Sequence, residues 1–411
     1  MSLDVAFARS RFPAFADPAT ARWAHLENAG GSYAAGPVVD RLTSLFTTAK
    51  VQPGWDFGPS KVATEAMDRS RTMMAATFAA DPDEIHFGPS TSQNTYVLAH
   101  AMRPMWDVGD EIVVTEQDHE ANSGVWRRLA ATGIPVREWK VDPETGLLDP
   151  ADLDHLVTER TRLVAMTHAS NLAATLNPVT EVAARVHAVG GHVVVDGVSW
   201  APHGGVDVDA LDCDVYLYSA YKTFGPHVGM MYVRRSLLPR LTHQGHYFNE
   251  PLLATRVTPA GPDHAVIGAT SGIVDYYDLL HAHHFPGTTA DPVARIGAVS
   301  GLFAEHETSL MTPLLALLVA RDGVRVVGST EADTAVRAPT IAFASRRRPS
   351  AEIYRELIAA GVSCGHGHFY AHRLVTALGL DPADGVVRLS MVHYNTAEEV
   401  ARALTVLDRL L

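Results

Sequence analysis

This sequence predicts an α/β fold built on a mostly parallel sheet, with helices on both faces and a smaller α+β domain towards the C-terminus. Three observations carry that expectation. Short apolar, β-branched runs recur through the middle of the chain, stretches with helical periodicity separate them, and polar residues capable of chemistry collect just after the runs.

The runs are EIVVT (Glu111 to Thr115), RLVAMT (Arg162 to Thr167), HVVVD (His192 to Asp196), DVYLYS (Asp214 to Ser219) and GMMYV (Gly229 to Val233). Their apolar positions are nearly continuous, which suits strands covered on both faces. A shorter run, EIHF, leads into GPSTSQN (Gly88 to Asn94) and an apolar helix. Between runs, PVTEVAARVHAVGG has Pro178 near its start and stops at Gly190 and Gly191, the expected punctuation of a helix. From about Asp291 helical patterns dominate. Ser350 to Val362 opens with a serine cap and closes at Gly361, and NTAEEVARALTVLDRLL forms a terminal amphipathic helix capped by Asn395 or Thr396. TIAFAS and VVRLSM read as strands between these helices. The expected division is a large α/β domain over 20–285 and a small α+β domain over 1–19 and 286–411.

Composition excludes several classes. A chain of 411 residues, 47% hydrophobic and 19% charged, is long and apolar enough for a large core. The longest nearly unbroken apolar stretch, Met311 to Ala320, is far shorter than the about 20 residues of a membrane span. With 33 Lys and Arg against 46 Asp and Glu, the net charge of −13 argues against nucleic-acid binding, and the basic run Arg346 to Arg348 reads as a solvated turn. The two cysteines, Cys213 and Cys364, make no disulfide framework, and the N-terminal stretch has no apolar leader pattern, so the cytoplasm is the expected compartment.

Ligands of α/β sheets bind beyond the carboxyl ends of the strands. Asp196 ends one run, His119 lies beyond another, His168 and Asn171 follow a third, and Ser219, Tyr221 and Lys222 follow a fourth. Together with the hydroxyl-rich start at Thr91 and Ser92, these are the parts that pyridoxal 5′-phosphate requires. A lysine forms the Schiff base, an aspartate pairs with the pyridinium nitrogen, an imidazole covers the ring, and a helix N-terminus binds the phosphate.

The segment from HASNLAATLNP through VDGVSW to YSAYKTFGPHVGMMYVRR resembles the class V aminotransferase and cysteine desulfurase family of fold type I enzymes that use pyridoxal 5′-phosphate. TEQDHEAN, GPSTSQN and VVRLSMVHYNTAEEV resemble the same family in the same order, from about Leu26 to the C-terminus. The resemblance implies Lys222 as the Schiff-base lysine and Asp196 as the ring-nitrogen partner. It implies His119 as the stacking histidine that assists proton transfer, and Asn171 near the phenolic oxygen. Thr91, Ser92 and Ser219 fall on the phosphate side, and Ser199 and Tyr221 beside the cofactor. Arg388 matches the arginine that holds the substrate carboxylate, with Asn28 also assigned to the substrate. A homodimer with active sites at its interface is implied, as is an amino-acid substrate processed through an external aldimine and a quinonoid.

The departures refine the expectation. Ser199 stands where many relatives carry Gln, Tyr221 where many carry His before the lysine, and Gly261 in TPAGPDHA where many carry a cross-subunit Thr. In SCGHGHFYAHR, His368 takes the place of the persulfide-forming cysteine, with Cys364 four residues earlier. An imidazole cannot store a sulfane sulfur, so the expected activity is a desulfurase-like C–S or other β-eliminating lyase. Transamination or epimerisation is the alternative. His366 and His368 are read as lining the substrate pocket. The clusters His366, His368, His372 and His281, His283, His284 lack the companions usual at zinc, so no metal is expected; a metal-dependent hydrolase and a non-catalytic binding protein remain the rival classes.

Overall fold

The computed structural model describes residues 2–261 and 263–411; Met1 and Pro262, the latter within TPAGPDHA, lie outside the described residues. Thirteen strands among the described residues are numbered β1 to β13 in chain order. Seven form the main sheet: β2 (Ile85–Gly88), β3 (Glu111–Thr115), β4 (Val136–Trp139), β5 (Thr161–Thr167), β6 (His192–Asp196), β7 (Val215–Ser219) and β8 (Gly229–Val233). Their order is β2-β8-β7-β6-β5-β3-β4, parallel throughout except for β8, which runs antiparallel to both neighbours.

Each central strand divides its residues between two cores. Val113, Val164, Met166, Val193, Val195 and Tyr216 face one apolar cluster, while Ile112, Val114, Leu163, Ala165, Val194 and Leu217 face the other. The two-residue alternation thus buries nearly every position of these strands, Arg162 and His192 near their starts being half-buried, which explains why the runs show no polar face.

A four-stranded antiparallel sheet, ordered β12 (Gly365–Gly367), β13 (Val386–Ser390), β10 (Thr340–Ser345), β9 (Val324–Val326), forms the C-terminal part. A third core lies against it, including Leu314, Ile341, Ile353, Leu389 and Leu407. The segment just after the N-terminus meets this region, while Leu3, Ala8 and Phe12 pack in the first core. β1 (Ala24–His25) pairs in parallel with β11 (Val362–Ser363), Ala24 and Leu26 enter the third core, and Arg9 pairs with Glu399 at 3.0 Å.

Helix ends follow local chemistry. Thr396 and Glu399 form a reciprocal capping box at the terminal helix Ala397–Leu410. The helix Ser350–Ala359 departs from the expected serine cap. Ser350 is already its first helical residue, and the cap comes from a distant segment, where Asp384 accepts from the N–H groups of Ser350 and Ala351. Gly229, where β8 begins, lies directly under the start of the helix Thr91–Met102. A Cβ there would stand 2.3 Å from the Ser90 carbonyl carbon and 2.4 Å from the Thr91 nitrogen, both backbone atoms that cannot rotate away. Gly229→Ala should cost about 1–3 kcal/mol by overpacking, read as a lowered denaturation midpoint.

Candidate active site

The register aligns the carboxyl ends of the central strands. Thr167 stands opposite Asp196, and Asp196 opposite Leu217. The turns leaving β3, β5, β6 and β7 therefore open on one edge of the sheet. There they enclose a cavity of about 460 Å³. Lys222, Asp196, His119, Asn171, Thr91, Ser92, Ser199, Ser219 and Tyr221 all line it.

Lys222 sits on the short turn that follows β7 and is buried. Burial, then the like charge of Arg388, lowers its ammonium pKa to about 8, with Asp196 and Glu27 opposing the shift. At neutral pH roughly a tenth of such an amine is unprotonated, against a negligible fraction for an ordinary lysine. Asp196 Oδ1 accepts the Val198 N–H at 2.9 Å. Burial raises the pKa of its carboxyl, while the Val198 bond and Lys222 hold it down.

His119 caps the helix Glu120–Arg128, with Nδ1 accepting the Ala121 N–H at 3.1 Å. Burial first, then Lys222 and Arg388, pushes its pKa down to about 3, so the ring is neutral and carries its proton on Nε2. Thr115, the last residue of β3, makes the preceding turn: its Oγ1 accepts from the N–H groups of Gln117 and Asp118 and donates to the Asp118 carboxylate.

The hydroxyl wall is built across elements. Thr91 Oγ1 donates to the Tyr218 carbonyl at 3.0 Å and lies 2.6 Å from Ser219 Oγ. Ser90 caps the Thr91–Met102 helix, so its first-turn amides and positive dipole end meet the cavity beside these hydroxyls. Asn171 donates through Nδ2 to the Phe369 carbonyl at 2.9 Å, while its buried Oδ1 has no partner. A buried amine, a buried carboxylate, an unpartnered amide oxygen and a hydroxyl-lined helix start on one cavity fit an aromatic aldehyde that carries a phosphate and a basic ring nitrogen.

None of the four residues assigned to the substrate lines the cavity. Arg388, on β13, is buried but near enough to lower the pKa of Lys222 and His119; it pairs with Glu27, donates to the Asn171 carbonyl at 3.3 Å and lies 3.9 Å over the Phe369 ring. Asn28 is a structural hub. Its Nδ2 reaches the His25 carbonyl, the Ser390 carbonyl and Asn395 Oδ1, and its Oδ1 accepts from Tyr394, which leaves nothing for a substrate. His366 faces away from the site. On β12 it pairs with Val387 while Gly365 pairs with Arg388, so strand alternation turns its ring to Tyr354, 4.8 Å away between centroids. His368 sits outside the cavity lining, accepting the Tyr370 N–H at 3.1 Å.

Tyr370 takes the position His368 was expected to fill. It lines the cavity, 5.1 Å from the His119 ring, and its carbonyl accepts the Glu120 N–H. Sequence reasoning also missed Asp118, a buried carboxyl bonded to Thr115 and Asn122 whose pKa burial pushes up to about 8. It stands inside TEQDHEAN, but only the fold shows that its side chain turns inwards. Cys364 packs in the third core, and burial raises its thiol pKa to about 12. His283 and His284 are engaged with Asp4, and among the described residues no group of three His, Cys, Asp or Glu side chains is placed to hold a metal.

A sequence profile of the Aminotransferase class-V family matches residues 24–403. The aminotransferase-like protein FGM3 of Gibberella zeae is 35% identical over 422 aligned positions, covering all of this chain and 99% of the relative. A cysteine desulfurase of Serratia proteamaculans is 30% identical, covering all of this chain and 99% of the relative. Among solved structures, the cysteine desulfurase CsdA of Escherichia coli shares the fold with a TM-score of 0.82 at 22% identity, over all of this chain and 98% of that one. No helix among the described residues is long and apolar enough to cross a membrane.

The perturbed amine gives a direct test. In protein freed of ligands, acylation of Lys222 should rise with pH through a midpoint near 8, as the proton leaves, and the midpoint should move up in Arg388→Ala, where a like charge is removed. Mass-spectrometric mapping of label against pH reads both; a midpoint near 10.5 in the wild type would contradict the burial argument.

Proposed function

The chain belongs to the aminotransferase class-V family of pyridoxal 5′-phosphate enzymes, and from that footing we propose that it is a desulfurase-like lyase removing a β-substituent, foremost a sulfur group, from an amino acid. The observation that carries the reading is the shared cavity of Lys222 and Asp196, closed by the hydroxyl-lined helix start.

Bound there, the cofactor supplies an electrophilic aldehyde and a ring that accepts electrons. Lys222 would hold it covalently and, once released by the substrate amine, take the proton from the substrate Cα. Asp196 would keep the ring nitrogen protonated through its second oxygen. His119, neutral and flat, would cover the ring and relay a proton through Nε2–H. Thr91, Ser92 and Ser219 would bind the phosphate, aided by the helix dipole, with Ser199, Asn171 and Tyr221 around the ring. Arg388 would grip the α-carboxylate.

Sulfur storage on the protein is disfavoured by the direction of one strand. Cys364 lies two residues before His366, hence on the face of the C-terminal sheet opposite Arg388, and its thiol stays protonated. The sulfur group would therefore leave as a free thiol or sulfide, its bond to the substrate Cβ broken, rather than pass to the protein.

A homodimer is part of the proposal. Trp55 (64% exposed), Phe57, Tyr247 (86% exposed), Phe248 and Leu252 are large apolar side chains left at the surface, and Gln52 and His246 from the same two loops line one shared cavity. Apolar residues grouped in this way are a usual mark of an interface. Sedimentation at micromolar concentration should give twice the chain mass, and Tyr247→Glu with Phe248→Glu should halve it.

Purified protein supplied with pyridoxal 5′-phosphate should be yellow, and Lys222→Ala should lose the covalent linkage and at least about 10³-fold in turnover. Incubation with cysteine, cysteine conjugates and other amino acids, with and without a keto acid, decides the subtype. A keto-acid product formed without a keto-acid acceptor supports the lyase, amino transfer supports the alternative, and a persulfide on Cys364 would overturn the account of that residue.

A further inference from the structure

Building on the reading of Arg388 as the carboxylate grip, we infer that Glu27 is a resident carboxylate that occupies this grip in the free protein, so that a substrate binds by exchanging its own carboxylate for that of Glu27. Glu27 follows β1 and bridges in parallel to Ser390, at the end of the strand that carries Arg388. This brings residues 361 positions apart into one ion pair, Glu27 Oε1 accepting from Arg388 Nη2.

The pair is incomplete in a specific way. Nη1 points to the Asn171 carbonyl, and Phe369 covers one face of the guanidinium. A planar carboxylate bound side-on needs two adjacent donors, and the Nη2 edge it would use is held by Glu27. Yet Arg388 Nε and Glu27 Oε2 are both buried without a hydrogen-bond partner. A purely structural ion pair would be expected to satisfy both, because a buried donor or acceptor left alone is costly. An incoming carboxylate that takes Nε and Nη2 together satisfies the first atom and frees the Glu27 side chain to solvate the second.

The pair is closely framed. Glu27 lies between two glycines: a Cβ at Gly30 would stand 2.7 Å from its Oε1, and one at Gly365 3.3 Å. The cover over Arg388 is also held in a sparsely populated conformation, since Phe369 (φ 47°) and Tyr370 (φ 60°) are successive left-handed residues that are not glycine. Their pins are the Asn171 bond to the Phe369 carbonyl and the Glu120 N–H bond to the Tyr370 carbonyl.

The test uses the holoenzyme and a short aliphatic monocarboxylate, which has no ammonium group to engage Glu27. Isothermal titration should show Glu27→Gln binding this probe at least about fivefold more tightly than the wild type, the scale of one charge-assisted hydrogen bond no longer broken. With an amino-acid substrate the gain should fall on KM rather than kcat. Affinity in Glu27→Gln that is unchanged or weaker overturns the exchange. If Glu27→Gln does not fold, Glu27→Asp, whose shorter side chain retracts from Arg388, carries the same test with the same sign. The visible absorption of the cofactor at Lys222, recorded on the same samples, separates the failures. A wild type without it refutes the cofactor assignment, whereas coloured wild type and variant of equal affinity refute only the role of Glu27.

Discussion

The catalytic end of this molecule depends on burying an amine and a carboxylate on one cavity, reached from the tips of neighbouring strands. Asp196 ends β6 and Lys222 lies in the turn after β7. Burial acts on the two in opposite directions, raising the carboxyl pKa and lowering that of the ammonium, and each group's charge pulls the other part of the way back. Neither would be stable there alone, since an unpaired buried charge neutralises or forces the chain apart. The parallel register that sets Thr167, Asp196 and Leu217 side by side is thus the structural condition for the chemistry, and the apolar cores on both faces of the sheet hold that register.

Much of this was legible along the chain. Strands buried on both faces leave continuous apolar runs, so EIVVT, HVVVD and GMMYV coincide with β3, β6 and β8. The residues just beyond such runs are forced to the carboxyl edge, and nine of the candidates do meet there. Where reading failed, the cause was a partner remote in sequence or a strand too short to show its faces. Asn28 looked free because Ser390, Tyr394 and Asn395, which use up its amide, lie more than 360 residues away. Ser350 looked like a cap until Asp384 took that task. His366 and Cys364 were ambiguous because a three-residue strand of sequence GHG has no hydrophobic alternation to reveal its faces. Arg388 came from the resemblance alone, and nothing near it in sequence announces Glu27.

The charge arrangement explains a choice the sequence leaves unexplained, the use of hydroxyls instead of cations on the wall formed by Thr91, Ser92 and Ser219. Among the described residues lining the cavity, Lys222 is the one Lys or Arg side chain. Its lowered pKa already owes part of its shift to Arg388. A second cation beside Thr91 would depress Lys222 further in the free protein and compete with it for Asp196. Ser and Thr hydroxyls with helix-start amides bind a phosphate through dipoles, and they leave the balance around the amine undisturbed. The neutrality of His119 follows the same logic. Close to Lys222 and Arg388, an imidazolium would be a third cation in a poorly solvated space, so the ring stays uncharged and its flat face is available for stacking. The acidic partners complete the scheme: Asp196 opposes the charge of Lys222, and Glu27 pairs with Arg388, so each buried cation has a carboxylate of its own.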